Sequence, residues 1–477
     1  MSDRAVLWTS DEVKAATGGS GAGGWCASGV AIDSRTLAPG DLFVAIAGVR
    51  ADGHDYVDHA LANGAAAVVV SRRPAGVAVD APLVFVGDTL DALRGLASYA
   101  RDRSRARVIG VTGSVGKTGV KEALRTVLSA EAATAANDGS LNNHWGLPLS
   151  LARLAPSVRY GVFEMGMNHP GEILALSRLA RPHVAVITTI APAHKAFFPS
   201  LAAIADAKAE IFAGVEPEGA AVLNRDIPFF AQLAGAATAQ GVRRIVGFGR
   251  DSGSDVRLLM ADVGDAGARV QADVAGTAVD YRLNLAGSHW VSNSLCVLAT
   301  VHAAGGDVRS AAAALAAVRP PRRRGERITI PLAGGSVELI DDSYNANPSS
   351  MAAAIEVLGR ARPGSHGRRL AILGDMLELG GDGPALHAGV AGPLVEWRID
   401  GVFAAGPLMA HLFAALPLMM QGGHAADAEA LAPMVCKAIR PGDVLVVKGS
   451  AGSGMATVVR ALQALAADPA QSAASGA

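Results

Sequence analysis

Short apolar runs alternate with amphipathic stretches along most of the chain. GVAIDSR (29–35), APGDLFVAI (38–46), AAAVVV ending at Val70, and APLVFVGD (81–88) have the length and β-branched content of buried strands. YVDHALANG reads as a helix between them. The amphipathic helix TLDALRGLASYARDRS then leads into ARVIGVTGSVGKTGVKEALRTVLSA, which is strand, glycine-rich loop and helix in succession. YGVFEMG (160–166), HVAVITTI (183–190) and AAVLNRD are further strands, with ILALSRLA and SLAAIADAKAEIF (200–212) as crossover helices. Strands separated by helices predict a mostly parallel sheet covered on both faces.

Between about 253 and 283 the period shortens to polar/apolar alternation, as in ARVQADVAGTAVDYRLNL, predicting antiparallel strands added to that sheet. An alanine-rich helical stretch is expected from Ser292 to about Leu315. The basic, proline-containing VRPPRRRGERI (318–328) marks a boundary. ELIDDSYNANPSSMAAAIEVL then starts a new strand–loop–helix unit, and RRLAILGD, GVFAAG and DVLVVKGS supply strands for a second α/β domain. AADPAQSAASGA reads as a frayed tail.

Composition narrows the class. At 477 residues and half apolar, the chain has material for roughly three domains. Lys and Arg total 42 against 43 Asp and Glu, a net charge of −1, which argues against a mainly electrostatic nucleic-acid binder. Cys26, Cys296 and Cys436 are too scattered for a disulfide scaffold or a zinc cluster. The N-terminus carries charge where a signal peptide has its apolar core, and no apolar run reaches membrane-span length, so a reducing, aqueous compartment is expected.

The strongest local chemistry is Gly113-Ser114-Val115-Gly116-Lys117-Thr118 between strand and helix. Backbone amides at such a helix start can cradle phosphates, a lysine can reach the terminal phosphates, and a threonine hydroxyl can ligate Mg²⁺, which points to ATP. The spacing is a variant: two residues separate Gly113 from Gly116 and five separate Gly110 from it, where the usual pattern has four residues between its first glycine and GK. Read alone, a glycine turn beside an exposed lysine remains open. Glu164 ends one strand and His194 follows another by four residues, so both are candidate metal ligands at the ligand-facing ends of the sheet. Individually, each is as compatible with a structural role.

These features resemble the Mur ligase family of ATP-dependent amide-forming enzymes. The resemblance runs through DSR (33–35), PGDLFVAIAG, DGHDYVDHALANGA, TGSVGKT, LNN (141–143), FEMGMNHPGEI, APAH, AIADAKAEIF, GSHWVSN, DDSYNANPSSM, LGDMLELG and VKGS. It implies a three-domain α/β fold: an N-terminal UDP-sugar domain (1–84), a central parallel-sheet P-loop ATPase domain (85–318), a Rossmann-like C-terminal domain (319–465) and a flexible tail (466–477). DDSYNANPSSM is most similar to the branch that joins D-alanyl-D-alanine to UDP-N-acetylmuramoyl-tripeptide, which implies an acyl phosphate intermediate, with ADP and phosphate as by-products, in peptidoglycan precursor synthesis. A cytoplasmic monomer without nucleic-acid or membrane partners is expected. A ligase forming the tripeptide, or a P-loop switch module, would be the alternatives.

The resemblance also assigns residues. Lys117, His194 and Lys208 would be catalytic, with Thr118, Glu164, His194 and a carbamylated Lys208 around Mg²⁺. Gly113 to Thr118, Asn293, Arg324 and Asp342 would hold ATP. Ser34, Arg35, Asp52, Gly53, His54, Asn142, Asn143, Asn345, Asn347, Lys448 and Ser450 would contact the other substrates. Three departures stand out. His289-Trp290-Val291-Ser292-Asn293 lacks the first asparagine of HNxxN, Arg323-Arg324 replaces a GR pair, and AGSGM follows KGS where SRSMGM is usual.

Overall fold

The computed structural model describes residues 4–48, 51–192 and 197–467. Among these residues the chain forms three larger sheets, arranged in sequence order. The N-terminal sheet runs Ser20–Gly21, Leu83–Phe85, Ala67–Val70, Asp41–Val44, Gly29–Ala31, parallel except at the Ser20–Gly21 edge. Asp41–Val44 and Ala67–Val70 are buried throughout, as unbroken apolar runs in a two-sided sheet should be.

The central sheet has nine strands in the order Thr277–Leu283, Ala268–Val274, Val256–Val263, Arg244–Gly249, Ala220–Asn224, Val184–Ile187, Arg107–Thr112, Tyr160–Glu164, Thr134–Ala136. The last seven are parallel, and the 256–283 segment adds the expected antiparallel strands. Helices Lys117–Ser129 and Ser288–Ala303 cover one face, and Glu172–Ala180 and Leu201–Ala209 the other. Arg107–Thr112 lies between Tyr160–Glu164 and Val184–Ile187, so successive connections leave it in opposite directions. Such a switch point opens a crevice at the carboxyl ends of the strands. The glycine-rich loop and Glu164 both emerge there.

The C-terminal sheet runs Glu326–Leu332, Gly335–Asp342, Val444–Lys448, Arg369–Gly374, Gly401–Ala405, Gln421–Ala425, antiparallel only in its first pair. It is the expected second α/β unit.

Some expectations need adjusting. The helix expected over 292–315 is two helices, Ser288–Ala303 and Val308–Ala314. Gly305, at φ +73°, ends the first, and the Asp307 carboxylate caps the second by accepting from the amides of Arg309 and Ser310. The helix expected over 200–212 is α-helical only for Leu201–Ala209 and tightens to a 3₁₀ turn over Glu210–Gly214. Arg244–Gly249 is a further strand that the apolar pattern does not mark. Of the expected tail, residues 468–477 lie outside the described residues, and Leu465–Ala467 forms a 3₁₀ turn. No helix among the described residues is long and apolar enough to cross a membrane.

Candidate active site

A cleft of about 1620 Å³ lies between the central and C-terminal sheets. Its central wall begins with the loop after Arg107–Thr112. Gly113 and Gly116 hold φ of +144° and +85°. A Cβ on Gly113 would lie 2.0 Å from Thr188 Oγ1, and one on Gly116 would lie 2.8 Å from Asn293 Oδ1, so neither glycine has room for a side chain. Gly116 starts helix Lys117–Ser129 without any side-chain cap, leaving the first-turn amides to a ligand. The Ser114 hydroxyl is buried with no hydrogen-bond partner among the described residues. A buried donor in that condition is costly unless something anionic meets it, and a nucleotide phosphate fits.

Lys117 Nζ donates to the Gly113 carbonyl at 2.7 Å. Burial pushes its pKa down, Glu164 opposes that, and Arg324 on the C-terminal side adds to it. Thr118 Oγ1 donates to Glu164 Oε2 at 2.7 Å, while Asn142 Nδ2 donates to Glu164 Oε1 at 2.8 Å. Glu164 is 2% exposed. Among the described residues no three His, Cys, Asp or Glu side chains gather as a metal cage. One hydroxyl and one carboxylate are nevertheless a donor set that suits Mg²⁺, which keeps waters and takes phosphate oxygens from its substrate. His194, the other expected ligand, lies outside the described residues.

Lys208 lies in helix Leu201–Ala209, with 2% exposure. Burial, reinforced by Lys117, drives its pKa well below the ordinary lysine value. It does not line the cleft. Asn143 lines it and turns its own Oδ1 to the amides of Trp145 and Gly146 at the start of helix Gly146–Ala152. Trp290 packs over Gly119 of the phosphate-loop helix, whose Cβ position is 3.1 Å from Trp290 Cη2. Trp290 therefore fills the space between two helices as well as forming cleft wall.

The C-terminal wall brings Asp342, Asn345, Asn347, Lys448 and Ser450 together. Lys448 Nζ donates to Asp342 Oδ2 at 2.7 Å and to the Asn345 carbonyl at 2.9 Å. Asn347 caps helix Pro348–Arg360, accepting from the Ser350 amide at 2.9 Å. Ser450 Oγ accepts from the Leu377 amide at 2.8 Å. Arg324 stacks on Tyr344, 3.9 Å from the ring centre, and faces the cleft. Arg323 and Arg327 also line the cleft, Arg323 donating to Ser343 and Arg327 bridging Asp265 and Glu338.

The N-terminal candidates form their own clusters and do not line this cleft. Ser34 Oγ lies 2.9 Å from His59 Nδ1, and the exposed Arg35 pairs with Asp33 at 2.7 Å. Gly53 begins a 3₁₀ turn capped by Asp52, whose Oδ1 accepts from the His54 amide at 2.9 Å and lies 2.6 Å from His54 Nδ1. His54 Nε2 accepts from the Ser71 amide at 2.9 Å, so the imidazole ties strand end to turn inside its own domain.

Two site-supporting residues, Asn137 and Lys121, carry no signature in the sequence. Both are polar residues exposed to 1% or less, and neither stands in a motif. A lysine at one-turn spacing from Lys117 was the available signal, but it reads equally well as a solvated helix residue.

Comparison with known proteins accounts for this arrangement. Residues 27–101 match the Mur ligase family catalytic domain, 111–301 the Mur ligase middle domain and 323–451 the Mur ligase glutamate ligase domain. The UDP-N-acetylmuramoyl-tripeptide–D-alanyl-D-alanine ligase of Escherichia coli K12 is 37% identical, over 91% of this chain and 93% of its own. The ligase of the same name from Rickettsia prowazekii is 31% identical, over 95% and 99%. The crystal structure of MurF from Acinetobacter baumannii superposes with a TM-score of 0.83 at 30% identity, covering 96% and 99% of the two chains. MurF from Thermotoga maritima, solved with ADP, gives 0.76 at 27%, covering 92% and 98%. A phosphate loop at the switch point of a nine-stranded sheet, faced by a separate α/β domain and preceded by a smaller one, is thus an inherited architecture, and the chain belongs to the Mur ligase family.

Proposed function

We propose that this chain is the ATP-dependent ligase joining D-alanyl-D-alanine to UDP-N-acetylmuramoyl-tripeptide. The observation that carries this is one cleft holding the phosphate loop with its Thr118–Glu164 pair on one wall and the Asp342–Lys448–Asn345 group on the other. The Escherichia coli and Rickettsia prowazekii relatives, which carry this activity in their names, support it over nearly the full chain.

Amide formation needs an activated carboxyl, because oxide is a poor leaving group. A tripeptide carboxylate oxygen attacks the γ-phosphorus of ATP, its P–O bond forms as the bond to ADP breaks, and an acyl phosphate results. The dipeptide amine then adds to the acyl carbon. Collapse of the tetrahedral intermediate expels phosphate, and the amine loses its proton to form the amide. Lys117 and the free amides at the start of its helix neutralise charge on the transferring phosphoryl group. Bound Mg²⁺ would be held by Thr118 and Glu164, with His194 as a further candidate, and would offset phosphate charge. Within this reading Asn293 and Arg324 would contact the nucleotide, and Asn142, Asn143, Asn345, Asn347 and Ser450 the peptide substrates; all seven line the cleft.

Lys208 has the environment carbamylation requires. A buried amine with a lowered pKa is available in its neutral form, which adds to CO₂ to give a carbamate and release a proton. The product carries oxygen ligands where an ammonium would repel a cation. We assign the UDP-sugar to residues 1–84, ATP to 85–318 and the incoming amine to 319–465, in a monomeric cytoplasmic enzyme. Phosphate release requiring both UDP-tripeptide and D-alanyl-D-alanine, with the coupled pentapeptide seen by mass spectrometry, is the expected result. Equal ATP turnover without either substrate would overturn it.

A further inference from the structure

Lys121 is among the most deeply enclosed side chains in the protein, with 0% exposure, and the chemistry above does not use it. It lies one helical turn beyond Lys117 and three residues beyond Thr118 on the phosphate-loop helix. An ammonium so enclosed is expensive unless all its protons are used. Here Nζ meets the Asn137 carbonyl at 2.6 Å, the Gly139 carbonyl at 3.3 Å and Glu122 Oε1 at 2.9 Å, which accounts for its three donors. Two of the three acceptors are backbone groups of one loop, the segment following strand Thr134–Ala136.

That loop leads directly to Glu164. The Asn137 side chain is 1% exposed. Its Oδ1 accepts from the Glu164 amide at 2.9 Å, and its Nδ2 donates to the Glu164 carbonyl at 3.2 Å and to the Leu141 carbonyl at 2.8 Å. Both ends of one amide therefore grip the backbone of the residue whose carboxylate faces Thr118. The next residue after Leu141 is Asn142, which donates to the other Glu164 oxygen and whose own carbonyl accepts from Gly166 at 2.9 Å.

We propose that Lys121 and Asn137 are positioning residues for the metal-side chemistry. They lock residues 137–142 against the phosphate-loop helix and so aim one Glu164 oxygen at Thr118 and the other at Asn142. This rests on the ligase reading only in taking Glu164 as the Mg²⁺-facing carboxylate. Thr118 and Lys121 share one rigid helix, so the hydroxyl and the loop that orients its partner move together. A methionine or leucine could fill the same volume without a buried charge, and such replacements are often neutral for stability. Lys121 is set apart by the direction it imposes on the loop.

The test is Lys121→Met in the full-length enzyme, with thermal unfolding, Mg²⁺ titration of phosphate release, and calorimetric binding of a non-hydrolysable ATP analogue with and without Mg²⁺. Loss of an outer partner of a metal ligand weakens metal affinity by about 10–100-fold. The Mg²⁺ concentration for half-maximal activity should rise by at least about tenfold, and the Mg²⁺-dependent part of analogue binding should fall to match, while KM for D-alanyl-D-alanine stays within about twofold. A folded variant with wild-type Mg²⁺ dependence in both measurements would overturn the proposal. If Lys121→Met does not fold, Asn137→Ser interrupts the same connection at its other end and carries the same expectations. Wild-type enzyme that fails to couple its substrates would sink the ligase reading, whereas the calorimetric comparison would still decide the role of Lys121.

Discussion

Asp342 and Lys448 stand opposite each other in register at the ends of two neighbouring parallel strands, and Lys448 Nζ reaches Asp342 Oδ2 at 2.7 Å. The lysine side chain is 2% exposed and the aspartate 20%, so the pair is dry on one side and open to the cleft on the other. The same ammonium holds the Asn345 carbonyl, which fixes the loop leading to the Asn347 cap.

Breaking this pair from the lysine side should therefore cost more than breaking it from the acid side. Lys448→Met leaves a carboxylate and a carbonyl without their donor and should destabilise by about 2–3 kcal/mol, below the range for fully buried pairs because Asp342 is partly hydrated. Asp342→Asn keeps an acceptor for Lys448 and should cost about 1 kcal/mol. Urea unfolding of both single variants and the double variant gives their coupling. Equal losses, or strict additivity, would mean that the contact is incidental.

Arg323 adopts φ +61°, in the left-handed region. A left-handed conformation costs a non-glycine residue about 1–2 kcal/mol. Arg323 offsets part of that through two hydrogen bonds to Ser343, at 3.1 Å from Nε and 2.9 Å from Nη2. Arg323→Ala keeps the strain and loses the bonds, whereas Arg323→Gly loses the bonds but relieves the strain. Gly should thus be more stable than Ala by about 1 kcal/mol. The reverse order in denaturant melts would show that the backbone there relaxes when the arginine is removed.

The sheet order was partly legible because buried parallel strands are unbroken apolar runs, as at Val184–Ile187. The phosphate loop was legible because its glycines answer local backbone needs. Arg244–Gly249, RIVGFG, was harder to recognise, since two glycines dilute its apolar signal. The break at Gly305 was hidden by a composition that stays helical on both sides. Lys121 and Asn137 were beyond reach for a different reason. The backbone atoms that tie Lys121 to the loop and Asn137 to Glu164 lie 16 to 27 residues away, and pairings of that kind leave no side-chain pattern in the chain. The interior fixing of His54 was equally invisible, because the DGH motif does not specify which way the imidazole turns.

Asp52 makes the N-terminal domain acid-sensitive. The His54 amide, with the Arg72 guanidinium next, holds its carboxyl well below the ordinary value of 3.8. A carboxyl lowered in the folded state contributes stability that is full above its unfolded pKa and is lost as pH falls through the folded one. Asp52→Ala should cost about 1–2 kcal/mol at pH 7, the usual range for losing a helix-capping side chain. The gap between variant and wild type should narrow below about pH 4. Melting curves from pH 7 to pH 3 test this, and a gap independent of pH would assign the loss to the cap alone.

Lys208 yields the prediction most specific to the chemistry. Burial, with Lys117 adding to it, holds its pKa well below the ordinary 10.5. In the unmodified protein the folded state is then short of a proton relative to the unfolded chain. Its contribution to stability is complete above 10.5 and is lost as pH falls toward the folded value. Conversion to a carbamate removes that burden and places a negative charge near Lys117. Bicarbonate should therefore raise both Tm and activity relative to degassed enzyme, and the gain should shrink at acid pH, where the free amine that captures CO₂ is depleted. Enzyme equilibrated with ¹³CO₂ should show a carbamate carbon resonance. Lys208→Met, similar in length and suited to the apolar surroundings, should fold, lose the resonance and lose the response to bicarbonate. The same bicarbonate gain in that variant would place the effect elsewhere in the protein.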